Sequence, residues 1–183
     1  MVVKSKPIKQ EIDKIQAIYS ASSISSNSQK ATALFGDKRY GEQKQGKIVY
    51  SIYEALYLLD TNKLELKHKN KKLNFESLLK KAEEQDKKSW IKYLVFKDMR
   101  QRGYIIKTAL KFGADFRVYE RGKQPGQEHA KWILYPVSEN HALTWHEFSA
   151  KQRVAHSTKK NLLIAVVDEE EDITYYEISW IRP

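Results

Sequence analysis

A continuous apolar run, LLIAVVD at residues 162–168, constrains the fold more than any other segment of the chain. In a strand, successive side chains point to opposite faces of the sheet. A strand that is apolar at nearly every position is therefore covered on both faces, as central strands are. The run predicts a central strand in the C-terminal part of the chain.

Alternating segments around this run predict further strands. DITYYEISW at 172–180 and ADFRVY at 114–119 alternate apolar and polar residues. In ADFRVY, Phe116 and Val118 fall on one face, so Arg117 and Tyr119 fall on the other, more polar face. The remaining strands predicted here are YIIKTAL at 104–110 and KWILYPV at 131–137.

Two helices are predicted in the same part of the chain. WIKYLVFKDMR has helical spacing and stops at Gly103, a residue that commonly ends helices. HEFSAKQRVAHS follows Thr144 and Glu147, which have the spacing of a capping box. The order of helices and strands predicts a mixed sheet flanked by helices.

The N-terminal half shows its own helix signals. Ser51 and Glu54 form a capping-box pattern before IYEALYLLD at 52–60, and Asn74 is placed to cap FESLLKKAEE at 75–84. These signals predict two helices in this half.

Other N-terminal segments predict a strand and a loop. KLELKHK at 63–69 alternates like a half-buried strand, and an amphipathic segment surrounds Ile8, Ile12 and Ile15. The Ser-rich stretch SASSISSNSQ at 20–29 has little apolar content and predicts a loop. This half is predicted to be a small α+β unit.

The charged stretch EEQDKK at 83–88 is the predicted domain boundary. It divides the chain into an N-terminal α+β domain, residues 1–85, and a C-terminal mixed-sheet domain, residues 86–183. The predicted fold class is thus α+β, with an α/β-like second domain.

Net charge is distributed unevenly along the chain. Residues 1–100 hold 21 Lys and Arg against 12 Asp and Glu, whereas residues 101–183 hold 12 against 11. The near balance of the second part depends on one acidic run, Asp168 to Asp172. With that run pointing elsewhere, both parts are suited to binding a polyanion.

The chain has no cysteine. This excludes a disulfide framework, a thiol nucleophile and a thiolate metal site. No apolar run approaches the roughly 20 residues of a membrane span, and the N-terminus lacks the apolar stretch of a signal peptide. We therefore expect a cytoplasmic protein with no membrane partner.

Tyr119, His129 and Lys160 are the candidate catalytic residues. A phenol, an imidazole and an ammonium are the groups needed to move a 2′-hydroxyl proton, protonate a leaving oxygen and neutralise a phosphorane. No HExxH or comparable metal-ligand spacing is present. Together the three residue types predict RNA cleavage without a metal or other cofactor.

Long segments around these residues resemble a known family. RGYIIKTALKFGADFRVYERG at 102–122, PGQEHAKW at 125–132 and RVAHSTKKNLLIAVVDEEEDITYYEI at 153–178 resemble the catalytic domain of archaeal tRNA-splicing endonucleases. In the N-terminal half the resemblance lies mainly in IYEALYLLD. It implies that the C-terminal domain is a nuclease domain.

The resemblance also implies roles for the three residues. Tyr119 is the implied general base, His129 the general acid and Lys160 the transition-state stabiliser. The implied substrate is precursor tRNA with a bulge-helix-bulge, cut to leave a 2′,3′-cyclic phosphate and a 5′-hydroxyl.

Each of the three assignments has an alternative. An unperturbed tyrosine has a pKa of about 10. Tyr119 therefore needs a nearby cation, such as Arg117 or Lys160, to favour its phenolate. Otherwise it orients the 2′-hydroxyl or the phosphate, or it is a strand tyrosine with its hydroxyl at the surface. His141, His146 and His156 compete with His129. His156 is the most serious competitor, although its helix position favours a packing or capping role. Lys159 competes with Lys160.

Arg153 is a candidate substrate-binding residue. It precedes Lys160 by two helical turns, so both can point along one face. The resemblance implies that an arginine here clamps an extruded bulge nucleotide across a subunit interface; a surface arginine is the alternative. Trp180 or Arg182 is a candidate for the second half of the clamp.

Two segments bear on assembly and RNA contact. The basic loop GDKRYGEQKQGK at 36–47, which contains Lys44, is a candidate RNA-contacting arm. By resemblance, such an insertion suggests a heterotetramer with a paralogous structural subunit; a homotetramer is the alternative. The acidic run is implied to dock into a neighbouring subunit, and ITYYEISWIRP to pair its edge with another copy or a paralogue.

Two other functions are weighed against this reading. A non-catalytic, RNA-binding paralogue of the same fold would lack part of the trio. A metal-dependent nuclease would need clustered carboxylates, which the sequence does not show.

Overall fold

The computed structural model describes residues 14–21 and 23–181, which form two mixed sheets with helices packed on them. The N-terminal sheet contains β1 (Ile15–Ser20), β2 (Ser23–Ser26), β3 (Glu42–Lys44), β4 (Lys47–Tyr50), β5 (Leu64–His68) and β6 (Lys71–Leu73). Its strand order is β3-β4-β2-β1-β5-β6. Only β1 and β5 pair in parallel there.

The C-terminal sheet holds the predicted strands of that part. It contains β7 (Ile105–Ala109), β8 (Ala114–Tyr119), β9 (Trp132–Ser138), β10 (Asn161–Val167) and β11 (Ile173–Ile178), in the order β11-β10-β9-β8-β7. The apolar run forms β10, which pairs with β9 on one side and β11 on the other. The prediction of a covered interior strand is confirmed.

The described residues also form the α-helices α1 (Gln29–Lys38), α2 (Ile52–Asp60), α3 (Phe75–Gln85), α4 (Ser89–Gln101) and α5 (Trp145–Ser157). The predicted start signals are confirmed: both capping boxes form, and the Asn74 side chain accepts a hydrogen bond from the Ser77 N–H. Gly103 ends α4 with φ 86°.

The core runs through both parts of the chain. Tyr53 of α2 packs edge-on against Phe116 of β8, with ring centroids 5.2 Å apart. Leu56, Phe96 and Leu163 belong to the same buried cluster. The predicted boundary at 85/86 falls between α3 and α4, and apolar packing is continuous across it.

A buried ion pair also joins the two parts. The Lys107 ammonium of β7 lies 2.6 Å from Glu54 Oε1, and their side chains are 5% and 4% exposed. Lys107 also donates to the Gly41 carbonyl, and Glu54 accepts from the Gly41 N–H. Because every partner is hydrogen-bonded, the charges are tolerated in the interior.

The loop prediction for 20–29 is wrong. This stretch contains β2, and its Ile24 and Ser26 are buried. Ser26 is accommodated because its hydroxyl donates to the Gln16 carbonyl at 2.6 Å. The same stretch supplies Ser28, which caps α1, a helix that the sequence patterns did not predict.

The prediction of a basic loop at 36–47 is also wrong. The segment contains the end of α1 and a β3–β4 hairpin, whose turn residues Gln45 and Gly46 have φ 47° and 74°. A Cβ at Gly41 would lie 2.4 Å from Ile48 Cγ2, so the hairpin needs glycine there. Lys44 is therefore a strand residue beside a tight turn.

One N-terminal prediction lies partly outside the described residues. Ile8 and Ile12 are not described, whereas Ile15 begins β1. Within 14–21 and 23–181, no helix is long and apolar enough to cross a membrane.

Candidate active-site cleft

A cleft of about 380 Å³ lies where the end of β8, the following loop and the start of β10 meet. Its lining includes Tyr119, His129 and Lys160, the three predicted catalytic residues, together with Arg117. The remaining lining residues are Gly126, Gln127, Glu128 and Ala130. Three separate segments thus converge on one cavity.

Strand β8 supplies Arg117 and Tyr119. Phe116 and Val118 are fully buried on the core face, whereas Arg117 and Tyr119 both line the cleft, as the alternation predicts. Tyr119 is nevertheless only 5% exposed, so its ring is enclosed by its neighbours.

Burial decides the ionisation of Tyr119. Desolvation raises the pKa of its phenol, and the opposing effect of Arg117 is smaller. Arg117 does favour the phenolate, as the sequence hypothesis expected of a neighbouring cation, but burial outweighs its effect on the pKa. Tyr119 is a neutral phenol at neutral pH.

A glycine-containing loop, residues 120–131, carries His129. Gly122 and Gly126 have φ 82° and 90°, a region that glycine enters without strain. The Gln127 and Glu128 N–H groups both donate to the Gln124 carbonyl, at 3.2 and 3.1 Å. The loop thereby forms a compact turn that leaves His129 exposed.

The N-terminal part holds this loop from outside. Arg39 Nε donates to the Gln124 side-chain oxygen at 3.0 Å. Arg39 ends α1 in the left-handed conformation, with φ 57°. This contact joins residues far apart in sequence, and no local pattern indicates it.

The end of α5 places Lys160 in the cleft. The Lys160 N–H donates to the Ala155 carbonyl and the Lys159 N–H to the His156 carbonyl, each at 2.9 Å, which is a Schellman motif. Lys159 occupies its left-handed position, with φ 56°, and is exposed. The motif selects Lys160 over Lys159 as the cleft residue.

The Lys160 ammonium donates to the Thr158 carbonyl at 2.7 Å. Partial burial and the charge of Arg117 lower its pKa from the ordinary lysine value. Two cations therefore share this cleft.

Glu42 connects the N-terminal hairpin to the cleft. Its Oε1 lies 3.7 Å from Arg117 Nη2, and its Oε2 lies 2.9 Å from the Lys44 ammonium. The bond with Lys44, more than Arg117, lowers the pKa of the carboxyl group. Lys44, a predicted substrate-binding residue, is thus linked through Glu42 to Arg117 of the cleft lining.

Arg153 and Trp180 lie outside the cleft lining. Helix α5 ends at Ser157, so the prediction that Arg153 and Lys160 share a helix face is wrong. Arg153 instead shares a face with His156, whose ring centroid lies 4.7 Å from that of Trp180. Arg182, the other clamp candidate, is outside the described residues.

Grouped His, Asp and Glu side chains able to hold a metal ion are not found in the described part of the chain. Sequence patterns also missed Glu42, Arg39 and Gln124. Their roles arise from contacts between distant segments. Arg117, by contrast, was marked by alternation as a neighbour of Tyr119.

Comparison with known proteins agrees with this arrangement. Residues 16–79 match the tRNA intron endonuclease N-terminal domain, and residues 89–175 match the tRNA intron endonuclease catalytic C-terminal domain. The first range covers nearly all of the N-terminal sheet, and the second covers most of the C-terminal sheet.

Several archaeal relatives are similar over most of their length. A tRNA-splicing endonuclease of Thermococcus onnurineus is 43% identical over 149 residues, covering 81% of this chain and 85% of the relative. That of Methanothermobacter thermautotrophicus is 42% identical over 153 residues, covering 84% and 89%. That of Nanoarchaeum equitans is 43% identical over 156 residues, covering 82% and 97%. The resemblance predicted from the sequence is confirmed, and the chain belongs to the tRNA intron endonuclease family.

Proposed function

We propose that this chain is a catalytic endoribonuclease that removes introns from precursor tRNA at bulge-helix-bulge sites. The observation that carries the proposal is the convergence of Tyr119, His129 and Lys160 on one cleft in a chain of this family. Its volume of about 380 Å³ suits a nucleotide phosphate and its sugar. The basic N-terminal half adds attraction for RNA.

The cleft residues have complementary roles in the proposed reaction. The 2′-oxygen attacks the adjacent phosphorus, its proton passes to water, and the bond to the 5′-oxygen breaks. His129 gives that leaving oxygen a proton, and Lys160 stabilises the added negative charge on the phosphorane. The products are a 2′,3′-cyclic phosphate and a 5′-hydroxyl.

Tyr119 acts in this scheme as an orienting group. A buried neutral phenol is a poor base but a good hydrogen-bond partner for the 2′-hydroxyl or the phosphate. This favours the orienting role of Tyr119 over the role of general base.

Assembly is part of the proposal. Strand β11 is at one edge of its sheet, with Tyr176 exposed, and is suited to pairing with another copy or a paralogue. The acidic turn before it is shaped by the Asp172 N–H, which donates to the Asp168 carboxylate at 2.8 Å. We propose that this turn docks on a basic surface of a neighbouring subunit in a cytoplasmic tetramer.

Substrate contacts extend the cleft in this assembly. Arg153 and Trp180 are both exposed, and each is proposed to stack on an extruded base. Lys44 is proposed to contact the RNA backbone from the hairpin. A heterotetramer with a paralogous structural subunit is proposed over a homotetramer.

A cleavage assay on a bulge-helix-bulge RNA tests the proposal. We expect the wild-type protein in its active assembly, alone or with the paralogous subunit, to cut with and without EDTA. The new ends should be labelled directly by kinase because they are 5′-hydroxyls. His129→Ala should cut roughly 10²–10⁴-fold more slowly. His141→Ala is the matched control, since His141 is also exposed in a loop but lies outside the cleft lining.

Four results would contradict parts of the proposal. Loss of cleavage in EDTA would overturn the metal-free mechanism. Undiminished cleavage by His129→Ala would remove the proposed acid. A wild type that binds the RNA but cuts it neither alone nor with the paralogous subunit would indicate the non-catalytic paralogue. An active homotetramer, identified by light scattering, would exclude the need for a second kind of subunit.

A further inference from the structure

Arg117 is a cleft residue to which the proposed reaction so far gives no task. It lies two residues before Tyr119 on the same face of β8 and lines the cavity with Lys160. Its side chain is 28% exposed, so water reaches it only in part. Such a guanidinium normally needs acceptors from the protein.

The described residues offer it very little. No hydrogen bond from Arg117 to them is formed, and its Nε is buried without a partner. Among the described residues its ion-pair partner is Glu42, whose Oε1 lies 3.7 Å from Arg117 Nη2, which is beyond hydrogen-bonding distance. That carboxylate is already engaged with Lys44.

Other arginines of the chain behave differently. Arg39, Arg100 and Arg102 each donate hydrogen bonds to protein oxygens. Arg121 and Arg153 are exposed, so water can satisfy their donors. Arg117 has neither protein acceptors for its donors nor full exposure to water.

We propose that Arg117 binds the phosphate at the cleavage position and donates hydrogen bonds to a non-bridging oxygen. This rests on the proposed ribonuclease function. The planar guanidinium matches two phosphate oxygens better than an ammonium does. The phosphorane carries one more negative charge than the starting phosphodiester, and Arg117 with Lys160 supplies two positive charges to meet it.

The repulsion between those two cations is consistent with this role. Burial, and after it the charge of Arg117, disfavours the charged form of Lys160. A bound phosphate oxygen between them offsets that repulsion. Binding of substrate therefore removes both a charge penalty and an unsatisfied donor.

Single-turnover cleavage by full-length Arg117 variants tests the proposal. With saturating protein, Arg117→Ala should slow cleavage roughly 10- to 100-fold, as expected for loss of a charged hydrogen bond. Arg117→Lys, which retains the charge, should lose less. Arg121→Ala, an exposed arginine outside the cleft lining, should match the wild type.

Phosphorothioate substrates separate a phosphate contact from a merely structural role. Replacing one non-bridging oxygen by sulfur weakens its hydrogen bonds, so one diastereomer should react slowly with wild type. That difference should shrink in Arg117→Ala if the contact is lost. Circular dichroism checks folding, and Arg117→Lys gives the same comparison if the alanine variant unfolds.

The outcomes are distinguishable from those of the proposed function. Active wild type with equally active Arg117→Ala would overturn the role of Arg117 alone. A slow variant with an unchanged sulfur effect would overturn the phosphate contact. Failure of the wild type to cleave would overturn the proposed function, and the role of Arg117 with it.

Discussion

Lys107 and Arg117 are cross-strand neighbours on one face of the C-terminal sheet, yet their surroundings differ. Lys107 is nearly inaccessible and donates to both Glu54 and the Gly41 carbonyl. Arg117 is partly exposed and donates to no described residue. The comparison indicates that a cation satisfied within the chain holds the fold, whereas an unsatisfied one is available to a ligand.

The largest effect should come from replacing Lys107, the cation whose hydrogen bonds are satisfied within the chain. Lys107→Met leaves the Glu54 carboxylate buried without its cation, so we expect the free energy of unfolding to fall by about 3–5 kcal/mol. Denaturant unfolding measures it. Lys97→Met, which breaks a half-exposed pair with Asp60, should cost about 1 kcal/mol or less. Equal losses in the two variants would contradict the comparison.

Tyr119→Phe tests the opposite case, a cleft residue expected to matter for cleavage more than for stability. Loss of one hydrogen bond should slow cleavage roughly tenfold and leave unfolding nearly unchanged. Because burial raises the pKa of Tyr119, the phenol stays protonated throughout the neutral range. Rates of wild type and variant should therefore run parallel between about pH 6 and pH 9. A wild-type rate that climbs with pH while the variant stays level would restore the role of base.

A smaller effect is expected at the end of α5. Lys159 holds a left-handed conformation that favours glycine, so Lys159→Gly should raise the free energy of unfolding by about 1 kcal/mol. Cleavage should be unaffected because Lys159 is outside the cleft lining. Thermal unfolding and the cleavage assay together check this, and slow cleavage would show that Lys159 matters to the site.

The smallest effect concerns the two cleft cations. Arg117 lowers the pKa of Lys160, so Arg117→Ala should move the Lys160 titration to higher pH. In the wild type, Lys160 loses its proton at lower pH than an ordinary lysine does. Carbon NMR of labelled lysine side chains, assigned with Lys160→Ala, measures the change. An unmoved titration would place the two charges too far apart to interact.

Local signals predicted much of the fold. Ser51 with Glu54, Asn74, and Thr144 with Glu147 mark helix starts that depend on neighbouring residues alone. The errors involve distant contacts. Ser26 can be buried because its hydroxyl donates a hydrogen bond to the Gln16 carbonyl, and the hairpin can form because Gly41, which has no Cβ, fits closely against Ile48.

The site shows the same division. Residue types and resemblance indicated Tyr119, His129 and Lys160. The fold brings the three together in one cleft. The geometry that selects Lys160 over Lys159 is a helix end without the usual glycine, so sequence left both open. The Glu42–Arg117 contact was not predictable because it joins separate sheets.

The bond from Arg39 to Gln124 limits how such a chain can be recombined during evolution. The loop that presents His129 belongs to one matched domain, whereas the arginine that holds it belongs to the other. An N-terminal domain exchanged for one without this arginine would leave the loop with more freedom and the cleft less well formed. The two domains of this protein are therefore expected to be inherited as a pair.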